Sequence, residues 1–549
     1  MLKHQLKERD VDGITVILNR LQSRDAHVRE LAAEDLHTSV ATLARELTSE
    51  TFARFLSDLT PRLQSLLQSS NLVDQLGGIS AVDALIPVAS EAQIIRFANY
   101  LRSFFVTCES KAGLRAASWT LGRLASSTEN GISGTLVAAF VDFEVKRAFE
   151  WLTNPCFQAN HRRLAACMVL QALASAVPTL FHVNLTTFFV AIWPAIRDPR
   201  VDVRDAATDA LAACLQLIAM RQTRHRVQWY CKIYDQVQDG LHVVKGAPSV
   251  VVAKSPSWES IHGSLLVIGQ LVQNTGSFMV PRFREVCDIV LCYKDAKDKL
   301  VARSVCLLLP QLAAYCPDAF VRHYLSICVA HLMKRVTTFL SVSERGIAFL
   351  ALGELALAVG DQLVPQLPSI IELLQDGMKK SKYYCIETLV CAAHFTKACT
   401  VAMEPYLPSL LEQMLAGGLN DALVEALTEI IQTVPAVKTW VQERLLHEIS
   451  LVLRRPAAPA ADDVRRGGGF STFSLPFRSE KLDDKDTTGA HMSDAMLLLS
   501  LKTLGQFDFC GPFSILPFVQ DNVAVFLTYP DVAIRKQGID DAIGVVQPP

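Results

Sequence analysis

The chain has 549 residues, of which 50% are hydrophobic and 20% are charged, and its formal net charge is −2 at pH 7. A single compact core does not extend over this length, so the composition excludes a one-core protein and predicts several domains or a stacked array. The balanced charge gives no reason to expect direct binding of nucleic acid or of an acidic membrane surface. The 14 cysteines have no CxxC spacing, and we interpret them as small buried side chains in a reducing compartment.

Neither a secretory signal nor a transmembrane segment is predicted. The first ten residues, MLKHQLKERD, contain no apolar run typical of a signal peptide. The run from Leu164 to Ile196 has no Asp, Glu, Lys or Arg and is long enough for a membrane span. Polar residues interrupt its middle, and we interpret it as two buried helices joined near Val177–Pro178.

Residues 141–174 predict two helices of different character joined by a turn. Val141, Val145 and Phe149 recur at helical spacing on one face of the first helix, and charged residues lie on the other face. The second helix, over about 162–174, is apolar nearly all round and must be covered on several sides. The unit is therefore an outer amphipathic helix followed by an inner buried helix, and it needs a similar unit on either side.

Inner helices of this kind recur about every 40 residues, which is the period of HEAT and armadillo repeats. They can be recognised near Arg29, Gly78, Arg115, Arg162, Arg204, His262, Arg303, Arg345, Cys385, Val424, Leu498 and Arg535. The predicted fold class is all-α, an α-solenoid (superhelix) of about 11–12 HEAT-type helix pairs. We divide it into an N-terminal HEAT solenoid over 1–454, a disordered insertion over 455–492 that is rich in Pro, Gly, Asp and Arg, and a continuation of the HEAT solenoid over 493–549.

Three predicted turns carry an Asp followed by Val-Arg or Ile-Arg at the start of an inner helix. Their residues are Asp25, Val28 and Arg29; Asp198, Val203 and Arg204; and Asp531, Ile534 and Arg535. An Asp at a helix start accepts hydrogen bonds from free backbone N–H groups and suits the positive end of the helix dipole. We predict that these residues have a structural role in the repeat, with the Val or Ile packed inward and the Arg bridging to an acidic turn of the neighbouring repeat.

The sequence contains none of the motifs that mark common active sites, such as GxSxG, HExxH, the P-loop or the kinase HRD loop. DFCG (508–511) is similar to the metal-binding turn of kinases, but it lacks the adjacent Gly and is interpreted as a turn between helices. His323, Cys328 and His331 lie close in sequence, but no second pair completes a tetrahedral metal site. We therefore predict no catalytic, cofactor-binding or metal-binding residue, and the sequence does not indicate which residues bind partners.

Several blocks of sequence match one known family, in the order in which that family shows them. They include VDFEVKRAFEWL (141–152), RRLAACMVLQALASAVPTLF (162–181), QWYCKIYDQVQDG (228–240), SWESIHGSLLVIGQLV (257–272), RGIAFLALGELALAV (345–359) and SLKTLGQFDFCGP (500–512). These blocks resemble the N-terminal HEAT region of the target of rapamycin (TOR) serine/threonine protein kinases, which belong to the phosphatidylinositol-3-kinase-related kinase family.

This resemblance implies that the chain is a protein-binding scaffold, the N-terminal HEAT arm of a TOR kinase in nutrient-responsive growth signalling. Its expected partners are Raptor-type and Rictor/Sin-type subunits of TOR complexes, a Rheb-type small GTPase, and a second copy in a homodimeric assembly. ATP and Mg are expected only for the kinase domain, which is not in this chain, so no cofactor is expected here. The expected location is cytoplasmic, with peripheral attachment to the lysosomal or vacuolar membrane through complex partners.

Two other functions are weighed beside this one. A generic HEAT-repeat adaptor or nuclear transport carrier unrelated to TOR would keep the fold and bind a different partner. Enzyme activity in this chain itself would need a site that the motifs do not show. The sequence stops at Pro549, inside what would be an inner helix, so we expect a fragment, a truncated gene model or an unusual short form.

Overall fold

The structure, a computed structural model, consists of α-helices joined by turns and short 3₁₀-helices. It describes residues 8–127, 134–154, 159–221, 225–243, 257–338, 341–379, 385–453, 488–507, 509, 518–519, 522–529 and 534–538. The chain separates into two compact units, Met1–Leu308 and Leu309–Pro549, and the division falls inside helix α16 (Lys299–Tyr315). The predicted all-α class is confirmed.

Helices of the first unit alternate between long pairs and short connecting segments. They are α1 (Glu8–Leu21), α2 (Ala26–Glu46), α3 (Ser49–Leu67), α4 (Leu72–Leu85), α5 (Glu91–Thr107), α6 (Lys111–Ser126), α7 (Gly134–Thr153), α8 (Asn160–Ala176), α9 (Pro178–Phe181), α10 (Leu185–Ala191), α11 (Trp193–Ile196), α12 (Val201–Arg221), α13 (Arg226–Gly240), α14 (Trp258–Asn274) and α15 (Phe283–Cys292).

A row of inner helices forms the core of this unit. In the row α2 packs on α4, α4 on α6, α6 on α8, α8 on α12, and α12 on α14. The helices between them in sequence pack on the other side, α3 on α4, α5 on α6, α7 on α8, and α13 on α14. The inner helices α4, α6 and α8 are thus each covered by an outer helix and by the inner helices before and after them, which is the arrangement that a solenoid of helix pairs requires.

The second unit repeats this arrangement. Beyond α16 its helices are α17 (Pro317–His323), α18 (Leu325–Thr338), α19 (Val342–Val359), α20 (Leu367–Met378), α21 (Glu387–Ala398), α22 (Thr400–Met403), α23 (Leu407–Ala416), α24 (Asp421–Thr433), α25 (Lys438–Leu453) and α26 (Thr488–Gln506). Here the inner row is α19, α21 and α24, and the outer helices α18, α20 and α25 pack on it. The solenoid prediction is therefore confirmed in both units.

The stretch 141–174 has the predicted organisation. The outer helix α7 places Val141 and Val145 in the core, and Lys146 forms an exposed ion pair with Asp142 at 2.7 Å. In the inner helix α8, every residue of 164–170 is buried. Because α8 contacts α6, α7 and α12, its apolar surface is covered on three sides.

Within the described ranges, two apolar stretches are long and apolar enough to cross a membrane, if a bent pair of helices is taken as one stretch. In the first, α8 and the helical stretch Pro178–Ala191 are bent by 116° relative to one another, and the break at Val177–Pro178 is the predicted one. The second stretch is Val342–Met378, and half of its most apolar segment of 18 residues is buried inside the protein. It is not one continuous α-helix, because Gly360 has a φ of +58° and a 3₁₀-helix, Gly360–Gln366, separates α19 from α20.

The predicted insertion is largely outside the described residues, which resume at Thr488, where α26 begins. Residues 488–492, assigned to the end of the insertion from the sequence, are therefore helical. Asp508, Cys510 and Gly511 of the DFCG sequence also lie outside the described residues. The boundaries at 454/455 and 492/493 remain predictions.

Candidate functional site

The turn before α2 is held by the first of the three predicted motifs. Asp25 Oδ1 accepts a hydrogen bond from the N–H of His27 at 2.9 Å, and Asp25 is the N-cap of the helix. Arg29 Nη1 donates to the carbonyl oxygens of Ser23 (2.7 Å) and Arg24 (3.0 Å). The Asp pairs a free N–H at the helix start, and the Arg pairs free carbonyls of the preceding turn. Val28 is only half-buried.

The turn before α12 makes the same hydrogen bonds in a buried setting. Asp198 Oδ1 accepts from the N–H of Arg200 at 2.9 Å, and Arg204 Nη1 donates to the carbonyl oxygens of Asp198 (2.6 Å) and Pro199 (3.1 Å). Val203 and Arg204 are buried, and the Arg204 side chain has no exposed surface. The guanidinium therefore occupies the core of the unit.

The third motif is described only in part, because Asp531 lies outside the described residues. Ile534 is buried, as predicted, and Arg535 Nη1 donates to the carbonyl oxygen of Tyr529 at 2.5 Å. In all three motifs the arginine thus reaches the carbonyl six residues before it. We predicted that these arginines bridge to an acidic turn of the neighbouring repeat. Instead, each guanidinium donates hydrogen bonds to carbonyl oxygens of the turn that precedes its own helix.

A bridge between repeats does exist, but a different arginine forms it. Arg163 of α8 donates from Nε to Asp198 Oδ2 at 2.6 Å, and both side chains are largely buried. In the second unit Arg345 of α19 donates to Asp376 of α20 at 2.8 Å. This hydrogen bond lowers the pKa of the Asp376 carboxyl. In both units, therefore, an arginine on an inner helix pairs with an Asp of the next repeat.

Arg204 also links the inner helices α12 and α14. Its Nε donates to Nδ1 of His262 at 3.0 Å, and its guanidinium carbon lies 4.8 Å from the centre of the Trp258 ring. The His262 Nδ1 must be unprotonated to accept this bond. Burial, and then the charge of Arg204, lower the pKa of His262 from 6.5 to about 4. The histidine is thus neutral at pH 7 and acts as a fixed acceptor.

Another Asp that caps a helix was not predicted from the sequence. Asp298 Oδ1 accepts from the N–H groups of Leu300 and Val301, both at 3.0 Å, where α16 begins. The sequence does carry a related pattern here, because an Asp precedes and an Arg follows Val301, as they do at Val203. In the three predicted motifs the Arg directly follows the Val or Ile, whereas Ala302 separates Val301 from Arg303, so the same pattern is not present here.

A buried carboxylate on α7 was also missed. Glu144 has no exposed surface, accepts from Arg102 Nε of α5 at 2.6 Å, and pairs with Arg147 on its own helix. The Arg147 guanidinium lies over the Trp151 ring at 4.6 Å. The two arginines thus compensate the buried negative charge, and the Trp151 ring faces the guanidinium of one of them. In the sequence VDFEVKR nothing distinguishes Glu144 from its exposed neighbours, because its main partner is 42 residues away.

Large apolar side chains remain exposed on both kinds of helix. On the outer side Phe143 of α7 lies at a cavity of about 240 Å³ between α5, α6 and α7. Val190 of α10 is 74% exposed, and on the inner helix α6 Trp119 is 64% exposed. Exposed aromatic and aliphatic side chains of this size are typical of surfaces that bind other proteins.

The residues considered for metal binding do not converge. His323 is exposed at the end of α17, whereas Cys328 and His331 are buried in α18. Among the described residues no group of three His, Cys, Asp or Glu side chains could hold a metal ion. Burial raises the pKa of Cys167 and Cys214, which keeps these thiols protonated and unreactive.

Comparison with known proteins identifies relatives over nearly the whole chain. No family model matches it. It is 37% identical over 512 residues to the serine/threonine-protein kinase TOR of Oryza sativa subsp. japonica and 35% identical over 533 residues to that of Arabidopsis thaliana. These alignments cover 92% and 96% of this chain but 19% and 20% of the relatives, so the chain spans about a fifth of their length.

Among solved structures, a crystal structure of a Kap121p mutant is similar with a TM-score of 0.48 and 13% identity, over 97% of this chain and 52% of that one. A likeness at that level carries no functional argument. The sequence relatives, by contrast, align with this chain through their N-terminal fifth, which excludes the kinase region. The alternative of an array unrelated to TOR is therefore wrong, and this chain is the counterpart of the N-terminal helical-repeat region of the TOR serine/threonine-protein kinases.

Proposed function

We propose that the chain is the scaffold arm of a TOR-type kinase and docks the regulatory subunits of TOR complexes, of the Raptor type in one complex and of the Rictor and Sin types in another. The observation that carries this proposal is the alignment with TOR over nearly the whole chain and outside the kinase region. The resemblance stated from the sequence supplies the classes of subunit. The parent protein, in this proposal, phosphorylates protein Ser and Thr residues with ATP and Mg bound in its kinase domain.

The mechanism is geometric. Rows of helix pairs present many side chains at fixed spacing, so a partner subunit can gain affinity from numerous modest contacts. The buried links between inner helices, such as Arg204 with His262, hold that spacing. Exposed apolar residues on the outer helices, Phe143 and Val190 among them, supply contact area at the surface.

A binding experiment with purified components tests the proposal. We expect residues 1–549 to form a stable complex with a purified Raptor-type subunit, or with a Rictor-type and Sin-type pair, in size-exclusion chromatography. A helical-repeat protein of similar length from outside the TOR family is the matched control and should elute separately. Separate elution of this chain from both classes of subunit at micromolar concentration would contradict the scaffold role.

Three further parts of the proposal, a GTPase partner, a homodimeric parent and a location, have their own tests. A Rheb-type GTPase should bind the chain preferentially in one nucleotide state, and the full parent should be homodimeric by light scattering. The protein is proposed to be cytoplasmic and to reach the lysosomal or vacuolar surface through its partners. A fluorescently tagged parent should therefore leave that membrane when its regulatory subunits are depleted, and persistent membrane attachment would argue against this route.

A further inference from the structure

A groove runs over three successive inner helices near the start of the first unit. Its volume is about 740 Å³, and its lining comes from α2, α4 and α6 together with Pro87. Small side chains such as Ala33, Ser80 and Ala116 form part of the lining. Since packed helices lie roughly 9 Å apart, three of them make a groove about 20 Å long, which accommodates around six residues of extended chain.

Trp119 of α6 is the dominant apolar group of this groove. The side chain is 64% exposed, although tryptophan is a large apolar residue whose burial is favourable. The described helices leave most of the Trp119 ring uncovered, and the ring lies beside the small residues of the groove lining. An exposed tryptophan in a concave surface is a typical anchor for a protein partner, because it offers a large contact area with few rotatable bonds.

The charges of the groove favour a partner of one sign. Asp83 pairs with Arg123, so these two charges offset each other. His37 Nδ1 lies 2.9 Å from the carbonyl oxygen of Ala84 and is engaged there. Glu30 and Glu34 are both exposed one turn apart on α2, and neither carboxylate forms an ion pair with a described residue. The groove therefore carries an excess of negative charge beside its exposed tryptophan.

We propose that this groove binds a short basic segment of a partner protein, in which Lys or Arg residues alternate with apolar ones. The basic residues pair with Glu30 and Glu34, and an Arg or an aliphatic side chain packs on the face of Trp119. This inference rests on the proposed scaffold function, since it names the chemistry of one partner surface. The negative charge disfavours an acidic lipid surface or a nucleic acid as the occupant.

The test uses the whole chain and two defined probes. One is a fluorescein-labelled 12-residue peptide in which Arg and Leu alternate, and the other carries Glu in place of Arg. We expect the basic peptide to bind saturably in fluorescence anisotropy and the acidic one not to bind. The double variant Glu30→Lys/Glu34→Lys and the single variant Trp119→Ala should each weaken binding of the basic peptide at least tenfold.

The control is Glu372→Lys/Glu412→Lys, which makes the same charge change at exposed carboxylates on α20 and α23 of the second unit. This control variant should bind the basic peptide with an affinity within twofold of that of the wild type. Circular dichroism should show that every variant keeps its helix content. Equal binding by the wild type and both groove variants, no binding of the basic peptide, or a preference for the acidic peptide would each overturn the inference.

Failure of the groove and failure of the scaffold role give different results. If Glu30→Lys/Glu34→Lys fails to bind the basic peptide but still forms the complex with Raptor-type or Rictor-type subunits, the groove serves another partner segment and the scaffold proposal stands. If the peptide result overturns the groove while the wild-type chain still forms that complex, only this inference is lost. Loss of the subunit complex in the wild-type chain itself would instead contradict the proposed function.

Discussion

The turn before α2 and the turn before α12 carry the same motif and make the same backbone hydrogen bonds, yet they differ in their surroundings. At 25–29 the Asp is exposed and the Arg half-exposed, whereas at 198–204 both side chains are buried and joined to Arg163 and His262. Local sequence determines the hydrogen bonds of each turn. The neighbouring helices determine how much those bonds contribute to stability, because a charge removed from water must be paired.

The largest loss of stability is expected when the arginine of the buried turn is removed, and the same change in the exposed turn is its control. Arg204→Met leaves two carbonyl oxygens and His262 Nδ1 without their donor in the core, and should destabilise the protein by about 4 kcal/mol. Arg29→Met removes similar bonds near water and should cost about 1 kcal/mol. Urea unfolding followed by circular dichroism measures both. Equal shifts of the unfolding midpoint would mean that burial of the second turn has no energetic consequence.

The next largest cost is expected at one of two glycines, whose substitutions should change stability in opposite directions. A Cβ at Gly263 in α14 would lie 1.9 Å from the carbonyl oxygen of Ile196, so Gly263→Ala should cost about 3 kcal/mol. At Gly13 in α1 nothing lies within 4 Å, and Gly13→Ala should stabilise the helix by up to about 1 kcal/mol. The two changes are chemically identical, so thermal midpoints that move in the same direction would refute the contrast in packing.

Asparagine separates capping from ion pairing at the two Asp positions. Asn caps a helix about as well as Asp, so Asp25→Asn should change stability by less than about 0.5 kcal/mol. Asp198→Asn keeps a side-chain acceptor for the N–H of Arg200, which precedes α12, but removes the charge that pairs with Arg163, and should cost about 2 kcal/mol. Double-mutant cycles with Arg163→Met provide the measurement. A coupling energy near zero at Asp198 would show that this ion pair is not needed.

The pH dependence of stability distinguishes the buried link further. His262 has a pKa lowered from 6.5 to about 4 in the folded protein, so between these values the unfolded chain binds more protons. The stability that neutral, buried His262 provides is fully present above pH 6.5, and roughly 3 kcal/mol of it is lost as the pH falls to 4. The facing charges are Arg204, Asp298 and Arg303. The variant His262→Asn should lose this part of the slope, and an unchanged slope would assign it to the carboxylates.

Much of the fold could be predicted because its signals are local. The helical period within 141–174 and the interval of about 40 residues between inner helices depend only on neighbouring sequence. The break at Val177–Pro178 was readable for the same reason, since Pro is accepted in the first turn of a helix and not in its interior.

The candidate site was less predictable because its partners are distant in sequence. Glu144 is buried only because Arg102 of another helix reaches it, and its own neighbours give no sign of that. The hydrogen-bond partners of Arg204 were predicted wrongly, because a guanidinium can reach either its own turn or the next repeat. The spacing of residues in the sequence does not distinguish these two possibilities. The groove at Trp119 forms only when three inner helices stack, so no single segment reveals it.

Hydrogen exchange across the whole chain, read by mass spectrometry, tests most directly the claim that inner helices are stabilised by covering one another. The account predicts slow exchange in α8 and α12, which have inner helices on both sides, and faster exchange in α2, which lies near the start of the row. Exchange that is equally slow in α2, or faster in α8 and α12 than in the outer helix α7, would contradict it.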